Sequence, residues 1–182
     1  MIGASWSTLV PNLTGRINKP YGLQAVASSR QPLFKNVKIT VRHTSKIERY
    51  EGTFPSLSAF FLSQHPLVAD TERLEEGGRG ETADTSFFSV SYRTAEGHPS
   101  FLSLVGDTLS FRRGLSEMCF EKGKFTSFTY RTGYGELETE AFTDALSLKE
   151  KDGRWLLSLA YYARMGSMVQ RNTMRFVFTP MA

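Results

Sequence analysis

At 182 residues the chain fits one domain, or one domain with an arm; a domain of that length buries about 70% of its unfolded surface, enough for a core without disulfides or metal. Hydrophobic residues make up 40% and charged residues 22%, an ordinary globular balance, and the single cysteine, Cys119, excludes an intrachain disulfide and favours a reducing compartment. No window approaches the roughly 20 apolar residues of a membrane-spanning helix, and the first residues lack the charged and apolar regions of a signal peptide, so an intracellular protein is expected.

Residues 1–32 hold no sustained period and are punctuated by Pro11, Gly15, Pro20, Gly22 and Ser28-Ser29. This predicts a flexible arm, with Trp6 and Tyr21 as its only large anchors, ahead of a single β-rich domain over 33–182. The first 50 residues carry eight Lys/Arg against the one acid Glu48, a net of +7, on a chain whose overall formal charge is +4. Such a basic stretch suggests an anionic partner, nucleic acid or lipid headgroups. The expected contacts are Arg16, Lys19, Arg30, Lys35, Lys38, Arg42, Lys46 and Arg49. A solvated stretch kept soluble by its charge is the plainer alternative.

The first predicted strand runs over Phe34–Tyr50, where Val37, Ile39 and Val41 alternate with Lys38, Thr40 and Arg42. A short helix follows to about Gln64, with Thr53 as N-cap, Pro55 in its first turn, Leu57, Phe60 and Phe61 on one face and Pro66 as its stop. Residues 68–85, rich in acids and containing Gly77-Gly78-Arg79-Gly80, read as an acidic mobile loop that only Leu74 could pin. Short strands then follow at Phe88–Arg93, Phe101–Val105, Thr108–Arg112, Met118–Glu121, Phe125–Arg131, Trp155–Met165 and Thr173–Phe178. Residues 136–150 fit either a helix or a strand, and Asp152-Gly153 suits a primed hairpin turn. The expected class is α+β, mainly antiparallel β, with about eight strands in a barrel or sandwich and one or two short helices.

The search for chemistry favours structural readings throughout. Cys119, flanked by Met118 and Phe120, reads as a small buried hydrophobe. His43, His65 and His98 have no metal-ligand spacing, and the glycine run lacks the Lys-Ser/Thr ending of a phosphate loop. Glu136, Glu138 and Glu140 share a strand face and could serve acid–base chemistry, but a charged edge that deters pairing explains them with no further parts. Phe125, Phe128, Tyr130, Tyr161 and Tyr162 pack a core or line a barrel mouth for an apolar ligand. Arg131, Arg164, Arg171 and Arg175 form a second basic patch if the last strands pair. No catalytic residue, cofactor or metal is expected, and the chain is read as a non-enzyme.

Two segments resemble a known family. Phe34–Arg42, the basic stretch to Tyr50 and the helix at Ser56–Gln64 are similar to the start of the folded domain of rhabdovirus matrix proteins. Leu146–Leu157 resembles that family's late hairpin, and no late-budding motif stands in the N-terminal arm. The resemblance implies a structural assembly protein that self-associates and bridges anionic membrane to nucleocapsid. The alternative is a lipocalin-like barrel that binds a small apolar ligand, which a side-chain-filled interior would exclude.

Overall fold

Alternation builds the first element as expected. In the computed structural model, strand β1 (Lys38–Tyr50) buries Ile39, Val41 and His43 and leaves Lys38, Thr40 and Arg42 in solvent, because successive side chains of a strand point to opposite faces. The structure describes residues 36–64, 66–83 and 87–182. The chain divides into units Met1–Arg30 and Gln31–Ala182, and every described residue falls in the second. The expected arm 1–32, its anchors Trp6 and Tyr21, the cations Arg16, Lys19, Arg30 and Lys35, and His65 lie outside the described residues.

The helix is shorter than predicted. Helix α1 (Leu57–Leu62) is capped by Ser56, whose backbone is extended and whose hydroxyl accepts the Ala59 N–H at 3.0 Å, so Thr53 is not the cap. Leu57 and Phe60 are buried, while Phe61, on the same expected face, is 42% exposed.

The largest correction concerns 68–85. Most of it is strand β2 (Val68–Thr82), paired antiparallel with β1 almost end to end. Its composition argues for a loop, but its acids stand across from the cations of β1: Arg42 binds Glu75 at 2.6 Å, and Arg49 binds Asp70 at 2.7 Å and Glu72 at 2.6 Å. The glycines serve close packing. A Cβ on Gly80 would lie 1.9 Å from the Ser91 carbonyl oxygen, and one on Gly78 would lie 2.5 Å from that of Arg93.

Strands β3 (Phe88–Thr94), β4 (Pro99–Val105), β5 (Thr108–Arg113) and β6 (Ser116–Glu121) form a short-stranded meander, followed by β7 (Phe125–Thr132). The ambiguous stretch becomes strand β8 (Gly135–Lys151), paired on both sides and irregular at Thr143/Ala145. The Asp152-Gly153 turn joins it to β9 (Arg154–Met165) with φ of 53° and 68°, the positive pair that a primed turn requires. Strand β10 (Met168–Pro180) returns along β1.

The ten strands form one antiparallel sheet in the order β6-β5-β4-β3-β2-β1-β10-β9-β8-β7. Its ends meet across a seam. There the Ser116 hydroxyl accepts the Arg131 N–H at 2.9 Å and donates to the Arg131 carbonyl at 3.2 Å. A bridge from Lys122 to Thr143 fastens the other end of the seam. The result is a nearly closed barrel: the predicted class holds, with ten strands instead of about eight.

One half of the interior is packed solid. Ile39, Val41, Phe88, Val90, Leu102, Leu109, Phe120, Leu157, Phe176 and Phe178 are all nearly inaccessible. Outside the barrel, Leu57 and Phe60 of α1 pack with Val169 and with Tyr50, Phe54, Phe142 and Tyr162. The Glu140 carboxylate tethers the helix by accepting the Leu57 N–H at 3.2 Å and Arg164 Nε at 3.1 Å.

Candidate ligand-binding cavity

The strands differ in length, and that difference opens the barrel. β3, β4, β5 and β6 have six or seven residues each, whereas β1, β2, β8, β9 and β10 have 12 to 17. β2 meets β3 only over Gly78–Thr82, so the tall strands rise beyond the short wall. Along β1 and β10 the inward pairs run from the packed layer Val41–Phe178 through His43–Phe176, Ser45–Met174 and Ile47–Asn172 to Arg49–Gln170. Large apolar side chains fill the first layers, and smaller or polar ones the last.

The space beyond is a cavity of about 500 Å³. Phe111, Met118, Phe128, Tyr130, Tyr161, Ala163, Met165 and Met174 supply its apolar wall. Ser45, Thr139, Gln170 and Asn172 add neutral polar groups; Arg49, Glu75, Glu76, Glu96 and Arg113 add charge. The volume lies within the range of small-molecule sites, which combine mostly apolar walls with a few polar groups.

A polar cluster lies where packed core gives way to cavity. The His43 ring stacks on Phe176 with centroids 4.2 Å apart and planes 6° from parallel. Its Nδ1 lies 3.5 Å from Glu76 Oε2, and Arg113 Nη2 donates to Glu76 Oε1 at 2.6 Å. Burial lowers the His43 pKa below its ordinary value, and Arg113 adds to this; the Glu76 carboxylate opposes without winning. His43 is therefore neutral near pH 7. Burial raises the pKa of Tyr161, and also that of Tyr92 behind the cluster, so both phenols keep their protons.

Two of the cavity-lining residues, His43 and Asn172, each carry a buried polar atom, Nε2 and Nδ2, with no hydrogen-bond partner among the described residues. Buried polar groups are normally paired. Gln170 Nε2 donates to Asn172 Oδ1 at 3.0 Å, which fixes the amide and leaves its NH₂ uncommitted.

Of the five aromatics read as packing a core or lining a barrel mouth, Phe128, Tyr130 and Tyr161 line the cavity. Phe125 and Tyr162 face outward, against Phe61 of α1. The glutamates of β8 share one face as predicted, and each has a partner: Glu136 with Arg131 at 2.9 Å, Glu138 with the Thr129 hydroxyl at 2.7 Å, Glu140 with Arg164 and α1. In the second basic patch, Arg171 reaches Asp144 at 3.2 Å. Of the cations assigned to an anionic partner, Lys38 and Arg42 point into solvent, Lys46 pairs with Glu48 at 2.6 Å, and Arg49 is held at the cavity mouth by Asp70 and Glu72. Cys119 corrects its expectation: it is exposed, since its neighbours Met118 and Phe120 both point inward and a strand residue between them must point out. Among the described residues no group of three His, Cys, Asp or Glu could hold a metal, and no helix is long and apolar enough to cross a membrane.

Sequence reasoning missed the polar cluster. His43 had a legible signal, since it continues the inward series Val37, Ile39, Val41. Arg113 likewise continues Leu109 and Phe111, and Asn172 shares parity with Phe176 and Phe178. Glu76 has none, because the acid- and glycine-rich composition of its strand argues for a loop.

Fold and site together define an antiparallel β-barrel, nearly closed, with a ligand-sized cavity at its open end. Residues 77–175, more than half of the chain, match the family described as a domain of unknown function, DUF1934, and the chain belongs to that family. Among solved structures, the crystal structure of the ywiB protein from Bacillus subtilis is similar. It is 16% identical and aligns over 82% of this chain and 96% of that one with a TM-score of 0.56, a likeness that establishes the fold alone. No curated protein matches the chain.

These findings overturn the resemblance to rhabdovirus matrix proteins. The matched segments are β1 with α1 and the β8–β9 hairpin, and amphipathic strands and Asp-Gly hairpin turns are common to antiparallel sheets of many kinds. With the resemblance go the viral assembly role, self-association and membrane contact it implied.

Proposed function

We propose that this protein binds a small, mainly apolar molecule inside its barrel and performs no chemistry on it. The observation that carries the reading is the cavity of about 500 Å³ that the described residues leave beyond a packed half-core. A barrel of this size whose only role was mechanical would gain stability by filling that space, since interiors pack to the density of organic crystals. The wall supports the same reading: Met118, Met165 and Met174 adapt to irregular partners, and Phe111, Phe128 and Tyr161 offer ring faces. The fold shared with ywiB is compatible with it.

A neutral fluorescent probe, N-phenylnaphthylamine, tests it. Wild-type protein is expected to bind the probe saturably, with enhanced emission. Ala163 lies on β9, lines the cavity and is buried, so Ala163→Phe fills the space with a ring. That variant is expected to lose at least about tenfold in affinity while keeping the wild-type far-UV spectrum. Absence of saturable binding by the wild type would overturn the proposal.

A further inference from the structure

We infer that the cavity selects an uncharged, elongated ligand bearing a hydrogen-bond donor and an acceptor, and discriminates against anionic amphiphiles. The inference rests on the barrel-ligand reading and adds the chemistry of the guest.

The charges come first. Three carboxylates (Glu75, Glu76, Glu96) line the cavity against two guanidiniums (Arg49, Arg113), and His43 is neutral. Both guanidiniums are committed, Arg113 to Glu76 and Arg49 to Asp70 and Glu72. Glu75 is held by Arg42, and Glu96, in the turn between β3 and β4, has no ion-pair partner among the described residues. An entering carboxylate or sulfonate would have to share Arg113 with Glu76, whose side chain is only 14% exposed. Two anions on one cation in a desolvated site repel, and pulling Arg113 away would leave Glu76 buried without its cation.

The uncommitted polar atoms say what is wanted instead. A carboxylate only accepts, so the proton of neutral His43 lies on Nδ1 toward Glu76, and buried Nε2 is left as an unpartnered acceptor among the described residues. Asn172 Nδ2 is a donor, because its Oδ1 is taken by Gln170. A guest that satisfies both must donate at one end and accept at the other, as hydroxyls and amides do and a carboxylate cannot. The two residues stand apart along the barrel. Asn172 lies four residues along β10 from Phe176, the partner of His43, which is about 13 Å at the rise of a strand. The rings and thioethers between them suit an apolar midsection.

The test is a matched pair of probes, N-phenylnaphthylamine and its sulfonated analogue anilinonaphthalene sulfonate, titrated into the full chain. The Ala163→Phe variant serves as the control for binding outside the cavity. The neutral amine is expected to bind, and the sulfonate about tenfold more weakly or worse. Glu76→Gln removes the competing anion and frees Arg113, and is expected to narrow that gap by strengthening sulfonate binding. A wild-type protein that takes the sulfonate as tightly as the amine within the cavity would overturn the inference and leave the barrel-ligand reading standing. A protein that takes neither probe sinks the underlying reading, and the inference with it.

Discussion

His43 shows how a single inward polar residue takes its properties from its layer. In the unfolded chain its imidazole titrates near 6.5, whereas in the barrel burial disfavours the cation more than Glu76 favours it. The sign follows from proton linkage. Below the unfolded value the denatured chain binds a proton that the native protein resists, so native stability is full above that pH and falls as pH drops through and below it. Thermal melts between about pH 8 and about pH 5 should therefore show a falling Tm. His43→Phe, which keeps a ring on Phe176, should flatten that fall. Equal slopes for wild type and variant would show that another group carries the acid sensitivity. Cys119 makes a second point at this scale. Its identity suggested burial and its position in the alternation dictated exposure, and position decided, because backbone geometry sets which way a strand side chain points.

At the level of elements, β2 separates what composition says from what pairing does. Five acids and three glycines in Val68–Thr82 are poor local material for a strand. The strand exists because β1 supplies a complete ladder and opposite charges, and because β3 approaches so closely that only glycine fits. The ion pairs are mostly exposed and contribute at most about 1 kcal/mol each, so the ladder and the close approach carry more. Gly80→Ala tests this directly. Its Cβ would meet backbone, not a yielding side chain, so β2 and β3 must separate. The expected cost is about 2–3 kcal/mol, by analogy with other overpacked sites, measured by urea denaturation; a loss under about 0.5 kcal/mol would count against a tight β2–β3 contact. Local signals served better where an element closes on itself: the β8–β9 turn was legible in two residues, Asp152 and Gly153, since its positive φ values depend on nothing distant. The helix was legible in place but not in its cap, because Thr53 and Ser56 are both of capping type and only the chain path puts Ser56 at the first turn.

For the molecule as a whole, stability and binding are divided between the two ends of one barrel. Phe178 belongs to the packed end, where it contacts Phe88 and Phe176 at centroid distances of 5.2 and 6.0 Å and takes no part in the cavity wall. Phe178→Ala is expected to cost about 3–5 kcal/mol of unfolding free energy while leaving N-phenylnaphthylamine affinity within about twofold of wild type at temperatures where the variant is folded. Parallel loss of both would mean that the two ends act as one unit. The sequence by itself determined the β class, most strand positions, the hairpin turn and the aromatic character of the wall, because alternation and turn chemistry are local. Only the tertiary structure decided that β2 and β8 are strands, that the sheet curls until Ser116 meets Arg131, and that His43, Glu76, Arg113 and Asn172 face one cavity. These four residues come from four different strands, and only long-range register sets which of them share a layer, a quantity no local window of sequence contains.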